Sequence, residues 1–321
     1  MTARPVALTC GDPAGIGPEI AVAAWRALGA ELPFFWIGDP AHLPAETPKV
    51  EIAAPDEAMA AAAQGLPVLP HPFAAPATPG RPDPANAAGV ISAIERGVEL
   101  VQTGTACALT TAPINKKALI DGAQFPYPGH TEFLAALAGV DRVVMMLAGD
   151  GLRVVPATIH IPLSQVPDQL TPELLRSTIR ITHDGLRDRF GIAAPRIAVA
   201  GLNPHAGEGG AMGHEDAQII APVVAELGAT GMDITGPHSA DTMFHPAARA
   251  RYDVAIAMYH DQALIPIKTI DFSGGVNVTL GLPFLRTSPD HGTAYDIAGR
   301  GVADPTSMIA ALRLAAAHGN N

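Results

Sequence analysis

Short apolar, β-rich runs alternate with alanine-rich stretches along this chain. The strand-like runs are PVALTC, PFFWIG, ACALTTA, RVVMMLA, RIAVAGL and VAIAMYH, whereas PEIAVAAWRAL has the composition of a helix. Alternation of this kind is typical of a mostly parallel sheet with helices packed on both faces. We therefore predict an α/β fold.

Two longer segments have patterns of their own. Residues 172–190 have apolar positions at helical spacing and follow Thr171, a suitable N-cap, so we predict a helix there. Residues 67–84 have proline at almost every third position. Because proline lacks an N–H donor and has a fixed φ, we predict a surface loop with neither a regular helix nor a central strand.

Composition narrows the class of protein. A chain of 321 residues with 48% apolar residues is long enough for two domains with sizeable cores. Its net charge of −11 argues against a nucleic-acid or membrane-surface partner, because it repels phosphate polyanions. Two cysteines are too few for a disulfide framework, and we find neither a signal peptide nor a run of the roughly 20 apolar residues that span a bilayer. We predict a cytoplasmic protein.

Three histidines each follow a strand-like run: His160 after VVPATI, His205 after RIAVAGLNP and His260 after YDVAIAMY. The carboxyl ends of parallel strands open onto the ligand crevice of an α/β protein, so the three imidazoles are candidates for one divalent metal site. Such a site leaves positions free for water or substrate. Asp241 and Asp261 are candidate orienting groups or proton acceptors, and turn caps are the alternative.

Two motifs with glycine and proline suggest anion binding. In CGDPAGIGPEI, Pro18 suits the first turn of a helix, whose free N–H groups could bind an anion. The alternative is that the motif is only a tight turn between a strand and a helix. TTAPINKKAL and FPYPGHTEFL place Lys116, Lys117, His130 and Thr131 near turns that open helices. A hydroxyl and a histidine at a helix N-terminus suit a phosphate or carboxylate, although Thr131 suits a cap equally well.

A third candidate anion site lies nearer the C-terminus. Lys268, Asn277 and Arg286 bring two cations and an amide into one stretch of a net acidic chain. An arginine fork and an ammonium attract phosphate or carboxylate. Surface ion pairing is the alternative interpretation.

Several motifs of the chain resemble those of a known group of enzymes. HGTAYDIAGRGVADP resembles the cofactor loop of the isocitrate and isopropylmalate dehydrogenases, and GDPAGIGPEI resembles their opening glycine loop. Taken with six further motifs, these two resemble one branch of that fold, the 4-hydroxythreonine-4-phosphate dehydrogenase family of vitamin B6 synthesis. The further motifs are TAPINK, PGHTEF, GLNPHAGEGG, SADT, YHDQ and GVNVTLGLPFLRTSPDHGTA. The resemblance runs from Val6 to about Leu314.

The resemblance implies a two-domain α/β/α fold with an active site in the interdomain cleft at a homodimer interface. We assign residues 1–128 and 290–321 to a cofactor-side domain, and residues 129–289 to a substrate, metal and dimerisation domain. The family's metal ligands correspond to His160, His205 and His260, with His160 contributed to the partner's site. Zinc, cobalt or magnesium is the expected ion.

The resemblance also implies which residues of this chain contact the substrate and the cofactor. The family's substrate contacts correspond to His130, Thr131, Lys268, Asn277 and Arg286. In the related dehydrogenases the loop beginning at His291 holds the adenosine end of NAD, which implies cofactor contacts at His291, Gly292, Ala294 and Asp296. A carboxylate at Asp296 favours NAD over NADP because it repels a 2′-phosphate. Asp304 departs from the asparagine typical of the isopropylmalate enzymes, so the adenine contact there is not carried over.

The implied reaction is oxidation of the C3 hydroxyl of 4-phosphohydroxy-L-threonine to a 3-keto acid, which then loses carbon dioxide. Asp241 is the candidate general base and Lys268 its alternative. A sister dehydrogenase of 4-phosphothreonate or 4-phosphoerythronate would use the same machinery. A metal- or phosphate-binding protein without catalysis is a weaker alternative, because it leaves the dinucleotide loop without a purpose.

Overall fold

The structure is a computed structural model that describes residues 4–320. Within that range the strands are β1 (Val6–Thr9), β2 (Phe34–Gly38), β3 (Lys49–Glu51), β4 (Leu66–Pro70), β5 (Ala108–Thr111), β6 (Val144–Gly149), β7 (Leu152–Pro156), β8 (Ile197–Ala200), β9 (Ile234–His238), β10 (Val254–Ala257), β11 (Val276–Leu280) and β12 (Arg286–Pro289). The helices are α1 (Gly17–Leu28), α2 (Ala58–Ala62), α3 (Ala87–Gln102), α4 (Lys116–Ala123), α5 (His130–Ala138), α6 (Val166–Gln169), α7 (Pro172–Phe190), α8 (Ala221–Ala229), α9 (Pro246–Arg249), α10 (His260–Ile270) and α11 (Thr306–His318).

The chain divides into two compact units. Unit 1 comprises the described residues up to 143 together with 282–320. Its strands run in the order β3-β4-β2-β1-β5-β12, and each neighbouring pair is parallel. Strands β1, β2 and β5 are buried on both faces, with Phe34, Trp36 and Leu109 at most 1% exposed. Such continuous burial is expected of a parallel sheet covered by helices.

Unit 2 comprises residues 144–281. Its strands run in the order β11-β6-β7-β10-β8-β9. β11 and β7 both pair antiparallel with β6, whereas β7, β10, β8 and β9 pair in parallel. Its core includes Leu147, Val154, Ala255 and Ile267, all at most 4% exposed. The predicted α/β class with mostly parallel strands is confirmed.

The predicted helix over 172–190 is also confirmed. Helix α7 covers those residues, and the Thr171 hydroxyl accepts a hydrogen bond of 3.1 Å from the Leu174 N–H. Gly191 ends the helix in a left-handed conformation with a φ of 68°. The pattern, the cap and the terminating glycine therefore agree with one another.

The prediction for residues 67–84 is wrong at its start. Pro67 and Pro70 belong to β4, which is buried and lies between β3 and β2. β3 pairs with β4 only as far as Val68, so Pro70, the last residue of its strand, has Gly38 of β2 on one side and no partner in β3 on the other. Proline is tolerated there because no ladder hydrogen bond needs its missing N–H. Residues 71–83 contain no helix and no named strand, as predicted.

The units differ in extent from the predicted domains. The observed breaks follow residues 143 and 281, rather than residues 128 and 289. As a result His130 and Arg286, which the prediction placed in the substrate domain, belong to unit 1. The reason for Arg286 is strand pairing, because β12 pairs with β5 and aligns Arg286 with Leu109. Residues 1–3 and 321 of the predicted cofactor-side domain lie outside the described residues.

Candidate active site

The three candidate histidines follow three neighbouring parallel strands of unit 2. His160 follows β7, His205 follows β8 and His260 follows β10, and the strand order is β7-β10-β8. Backbone hydrogen bonds continue past the ends of β7 and β10, since the Thr158 N–H donates to the Met258 carbonyl over 3.2 Å. The expected origin of the histidines at strand ends is therefore confirmed.

Two of these histidines have unusual backbone conformations. His160 and His205 lie in the left-handed region, with φ values of 51° and 52°. Non-glycine residues seldom adopt this region, and where they do the surrounding structure holds them in it. Such residues cluster at functional sites, which adds to the argument from strand ends.

His160 and His260 form a close pair. Their ring centroids are 5.7 Å apart, beside a cavity of about 260 Å³ that both residues line. The Asp261 carboxylate lies 2.7 Å from His260 Nδ1, the arrangement in which a carboxylate orients a metal-ligating imidazole. In the described part of one chain, no group of three His, Cys, Asp or Glu side chains is arranged to hold a metal ion. The three-histidine centre therefore stays a prediction.

In unit 1, Arg286 forms the centre of a buried cationic group. Arg286 is 3% exposed, and its Nε and one terminal nitrogen donate to the Thr111 hydroxyl over 3.2 and 2.7 Å. Burial lowers the pKa of Arg286 to about 10. With its pKa at about 10, the guanidinium remains a cation at neutral pH although it is buried.

His130 lies beside this guanidinium at the start of α5. Its Nδ1 is 3.5 Å from an Arg286 nitrogen, at the outer limit of a hydrogen bond. Burial, reinforced by the Arg286 charge, holds the pKa of His130 well below its usual value. The side chain is partly exposed, but its Nε2 is buried without a hydrogen-bond partner. Since arginine only donates, Nδ1 is the acceptor and the unpartnered Nε2 carries the proton.

Other predicted anion contacts lie elsewhere. Thr131 is the second residue of α5, at the helix end that favours anions. Lys268 and Asn277 belong to unit 2, on α10 and β11. The Asn277 side-chain oxygen is buried without a hydrogen-bond partner. Lys117 is an exposed residue that pairs with Asp121 over 2.6 Å, which favours a surface role.

The predicted cofactor loop has an open acceptor. His291 Nδ1 lies 3.1 Å from the Gly292 carbonyl, so the proton is on Nδ1, and the buried Nε2 is an acceptor without a partner. A Cβ added at Gly292 would meet nothing within 4 Å. Ala294 has a φ of 44°, and Asp296 is exposed. These features fit an external ligand on the loop.

This loop packs against the opening glycine loop. A Cβ at Gly15 would lie 2.9 Å from the Thr293 carbonyl oxygen, so only glycine fits without a shift. The Tyr295 hydroxyl donates to the buried Asp12 carboxylate over 2.7 Å. The N–H groups of Ala14, Gly15 and Ile16 all bond within unit 1. The tight-turn interpretation of this motif is therefore the better one, and its partner loop is the candidate ligand site.

Two further carboxylates have local partners. Asp241 is exposed and its Oδ1 accepts from the Ser239 hydroxyl over 2.6 Å. Asp304 accepts from the Thr306 N–H and hydroxyl, and these hydrogen bonds lower the pKa of Asp304. Asp304 thus caps a turn at the start of α11, whereas the contact of Asp241 is with a side-chain hydroxyl and is not a helix cap. Neither contact tests whether Asp241 is a base.

Sequence reasoning missed Thr111, Asp12 and Tyr295. Each lies inside a quoted motif, TTAPINK, GDPAGIGPEI or HGTAYD. Their partners are 175 or 283 residues away along the chain. Their positions inside these motifs were the local signal for them, but only the tertiary structure shows the pairs.

Comparison with known protein families matches residues 32–315 to "Pyridoxal phosphate biosynthetic protein PdxA". The chain belongs to this family. It is 67% identical over 317 residues to the 4-hydroxythreonine-4-phosphate dehydrogenase of Ruegeria sp. (strain TM1040), covering 98% of this chain and 97% of that protein. It is 60% identical over 317 residues to the enzyme of the same name from Paracoccus denitrificans (strain Pd 1222), with the same coverage.

A solved structure agrees with these relatives. The crystal structure of 4-hydroxythreonine-4-phosphate dehydrogenase from Klebsiella pneumoniae has a TM-score of 0.90 with 39% identity, and covers 98% of both chains. Membership of this family makes the chain an oxidoreductase involved in pyridoxal phosphate biosynthesis. Among residues 4–320, no helix is both long enough and apolar enough to span a bilayer.

Proposed function

We propose that the chain catalyses the NAD-dependent oxidation of 4-phosphohydroxy-L-threonine at C3. The product 3-keto acid decarboxylates to 3-amino-2-oxopropyl phosphate. The names of the relatives in two comparisons support this substrate. The observation that carries the proposal is the buried pair of Arg286 and His130, in which a cation and an unpartnered N–H donor lie together.

These residues suit one end of a phosphorylated hydroxy acid. The Arg286 guanidinium supplies the charge that a phosphate or carboxylate needs, and Thr111 fixes its orientation. His130 stays neutral because its pKa is low, and its Nε2–H donates to a substrate oxygen. Thr131 adds a hydroxyl at the N-terminus of α5. Binding at these groups orients the reacting carbon.

Lys268 and Asn277 of unit 2 are further proposed substrate contacts. Lys268 supplies a second cation, and the buried Asn277 oxygen accepts from a donor such as the substrate ammonium. We also propose that the protein forms a homodimer in which His160 of each chain contributes to the partner's site. Asp241 is the proposed acceptor of the hydroxyl proton, and Lys268 is the alternative.

The cofactor and metal are assigned to two separate groups of residues. His291, Gly292, Ala294 and Asp296 would hold the adenosine end of NAD, where the open His291 Nε2 accepts from a ribose or adenine donor. His160, His205 and His260 would hold one divalent ion, for which their imidazoles suit zinc or cobalt. When bound, NAD supplies the hydride acceptor, and the ion supplies a Lewis acid for the hydroxyl and keto oxygens.

An assay of NADH formation tests the substrate and the ion together. We expect turnover of 4-phosphohydroxy-L-threonine with NAD, much weaker turnover with NADP, and loss of activity with a chelator that added zinc or cobalt restores. Parallel reactions with 4-phosphothreonate and 4-phosphoerythronate identify a sister enzyme. Binding of substrate without turnover of any of the three compounds would contradict catalysis and favour a binding protein.

His205→Ala tests the metal centre directly. We expect loss of turnover with an unchanged circular dichroism spectrum, because His205 is exposed and its side chain packs little. The matched control is His245→Ala, which removes an exposed histidine from the start of α9. Normal activity in His205→Ala would remove this residue from the metal centre.

A further inference from the structure

Gln262 joins the backbone near two of the proposed metal ligands. It lies in α10, two residues after His260. Its side-chain oxygen accepts from the Met258 N–H over 2.6 Å, and its side-chain nitrogen donates to the Gly201 carbonyl over 2.8 Å. Met258 follows β10 and Gly201 follows β8. One amide therefore connects the ends of the strands that lead to His260 and His205.

The loop that carries His205 needs such support. Residues 205–209 all have positive φ values, between 41° and 79°, and three of them are not glycine. Non-glycine residues in this region are strained, so the run does not persist without contacts that hold it. Its conformation must be held by bonds from outside the run.

Asp216 holds the same loop from the other side. This carboxylate is 2% exposed and begins a π-helical turn, Asp216–Ile220. It accepts from the N–H groups of Leu202 and Asn203 over 2.8 and 3.2 Å. A Cβ at Gly201 would lie 2.5 Å from the Asp216 Oδ1, so the loop fits closely around the carboxylate. Asp216 thus fixes the shape of the loop, and Gln262 ties the loop to β10.

We infer that Gln262 is a positioning residue that sets the spacing between His205 and His260 for metal binding. The inference rests on the proposed metal centre. A side-chain amide is suited to this position because it accepts and donates at once, whereas glutamate only accepts and leucine does neither. Groups behind the ligands of a metal set its affinity by holding those ligands in place.

Three variants separate positioning from general stability. Gln262→Leu removes both hydrogen bonds, and Gln262→Glu keeps only the acceptor for Met258. The control is Gln102→Leu at the exposed last residue of α3, which has no side-chain hydrogen bond within the described residues. Each purified full-length protein is stripped of metal and titrated with Co²⁺, with the visible absorption bands as the readout. Hydrogen exchange of residues 201–210 is measured on the metal-free proteins.

We expect Gln262→Leu to raise the Co²⁺ dissociation constant about 10- to 100-fold and to change the shape of the absorption bands. Gln262→Glu should fall between Gln262→Leu and the wild type, and Gln102→Leu should match the wild type. Exchange of residues 201–210 should rise in the Gln262 variants alone. A dissociation constant within twofold of the wild type, or a lower melting temperature with unchanged bands, would overturn the inference.

Failure of the metal centre itself gives a different result. If the wild type shows no Co²⁺ bands at all, the proposed three-histidine site is wrong. In that case the hydrogen-exchange data alone decide whether Gln262 holds the loop that carries His205. Faster exchange in residues 201–210 of Gln262→Leu keeps it as the residue that holds this loop, and unchanged exchange removes that role too.

Discussion

At the scale of single residues, the effect of a buried hydroxyl depends on what it bonds. Thr9 and Thr111 face each other in neighbouring strands, since the register of β1 and β5 aligns them. Both are 0% exposed. The Thr111 hydroxyl accepts from Arg286, whereas the Thr9 hydroxyl is buried without a hydrogen-bond partner. The same substitution at the two positions should therefore have different consequences.

Thr111→Val should lower the free energy of unfolding by about 1.5–3 kcal/mol, the usual value of hydrogen bonds to a charged group. It should also lower kcat/KM for the phosphorylated substrate about tenfold, because Arg286 loses two hydrogen bonds that orient it. Thr9→Val is the matched control and should change stability by less than about 0.5 kcal/mol, or increase it. Urea unfolding and steady-state kinetics measure both effects. Equal losses in the two variants would contradict the role of Thr111.

At the scale of elements, two loops of unit 1 form one structure. The glycine loop after β1 and the loop after β12 meet at Gly15 and Thr293, and Tyr295 bonds Asp12 nearby. Gly80 adds a third contact, since a Cβ there would lie 2.8 Å from the Tyr295 carbonyl oxygen. The conformation of the predicted cofactor loop therefore depends on residues more than 200 positions away in sequence.

Gly15→Ala should weaken cofactor binding. The added Cβ would lie 2.9 Å from the Thr293 carbonyl oxygen, so the loop at 291–296 must move. We expect KM for NAD to rise about tenfold, about 1.4 kcal/mol of binding, while KM for the phosphorylated substrate changes less than about threefold. Steady-state kinetics with each substrate varied in turn measure the two constants.

The control for this prediction is Gly228→Ala in α8. Its Cβ would make an ordinary contact of 3.7 Å with Ile234, and alanine favours a helix over glycine by about 1 kcal/mol. We expect a small gain in stability and unchanged kinetics. A similar rise of both KM values in Gly15→Ala would argue for a general distortion of unit 1.

Local signals in the sequence predicted the elements better than the site. The observed helix α7 agrees with its prediction because the cap, the apolar spacing and the final glycine are all local to that segment. β4 was missed because the rule against proline concerns N–H groups, and the ends of this strand need none. His130 and Arg286 were candidates from their residue types, but their contact depends on β12 pairing with β5. Pairing across such distances leaves no local pattern.

At the scale of the whole molecule, the response of stability to pH follows from its partly buried histidines. Burial lowers the pKa of His71, His130 and His238, and for His130 the pKa falls well below its usual value. These groups stay neutral in the folded chain when the unfolded chain begins to bind protons near pH 6.5. The unfolded state then holds more protons, so stability falls as pH decreases below about 6.5.

The window between about pH 6.5 and 5 isolates this effect. The carboxyl groups with a lowered pKa, among them Asp253 and Glu226, support the fold above about pH 4.5 and lose their contribution only below it. Within the window each histidine contributes a slope of at most about 1.4 kcal/mol per pH unit. Of the three histidines, His130 contributes to the slope down to the lowest pH, because its pKa is lowered most strongly.

His130→Gln should flatten the dependence of the unfolding free energy on pH between 6.5 and 5. Glutamine keeps a side-chain donor beside Arg286 but binds no proton in this range, so one source of the slope disappears. His245→Gln changes an exposed side chain and should leave the slope as it is. Urea unfolding at half-unit pH intervals measures all three proteins. An unchanged slope in His130→Gln would mean that this ring takes up a proton in the folded state, which would also remove it as a neutral donor to the substrate.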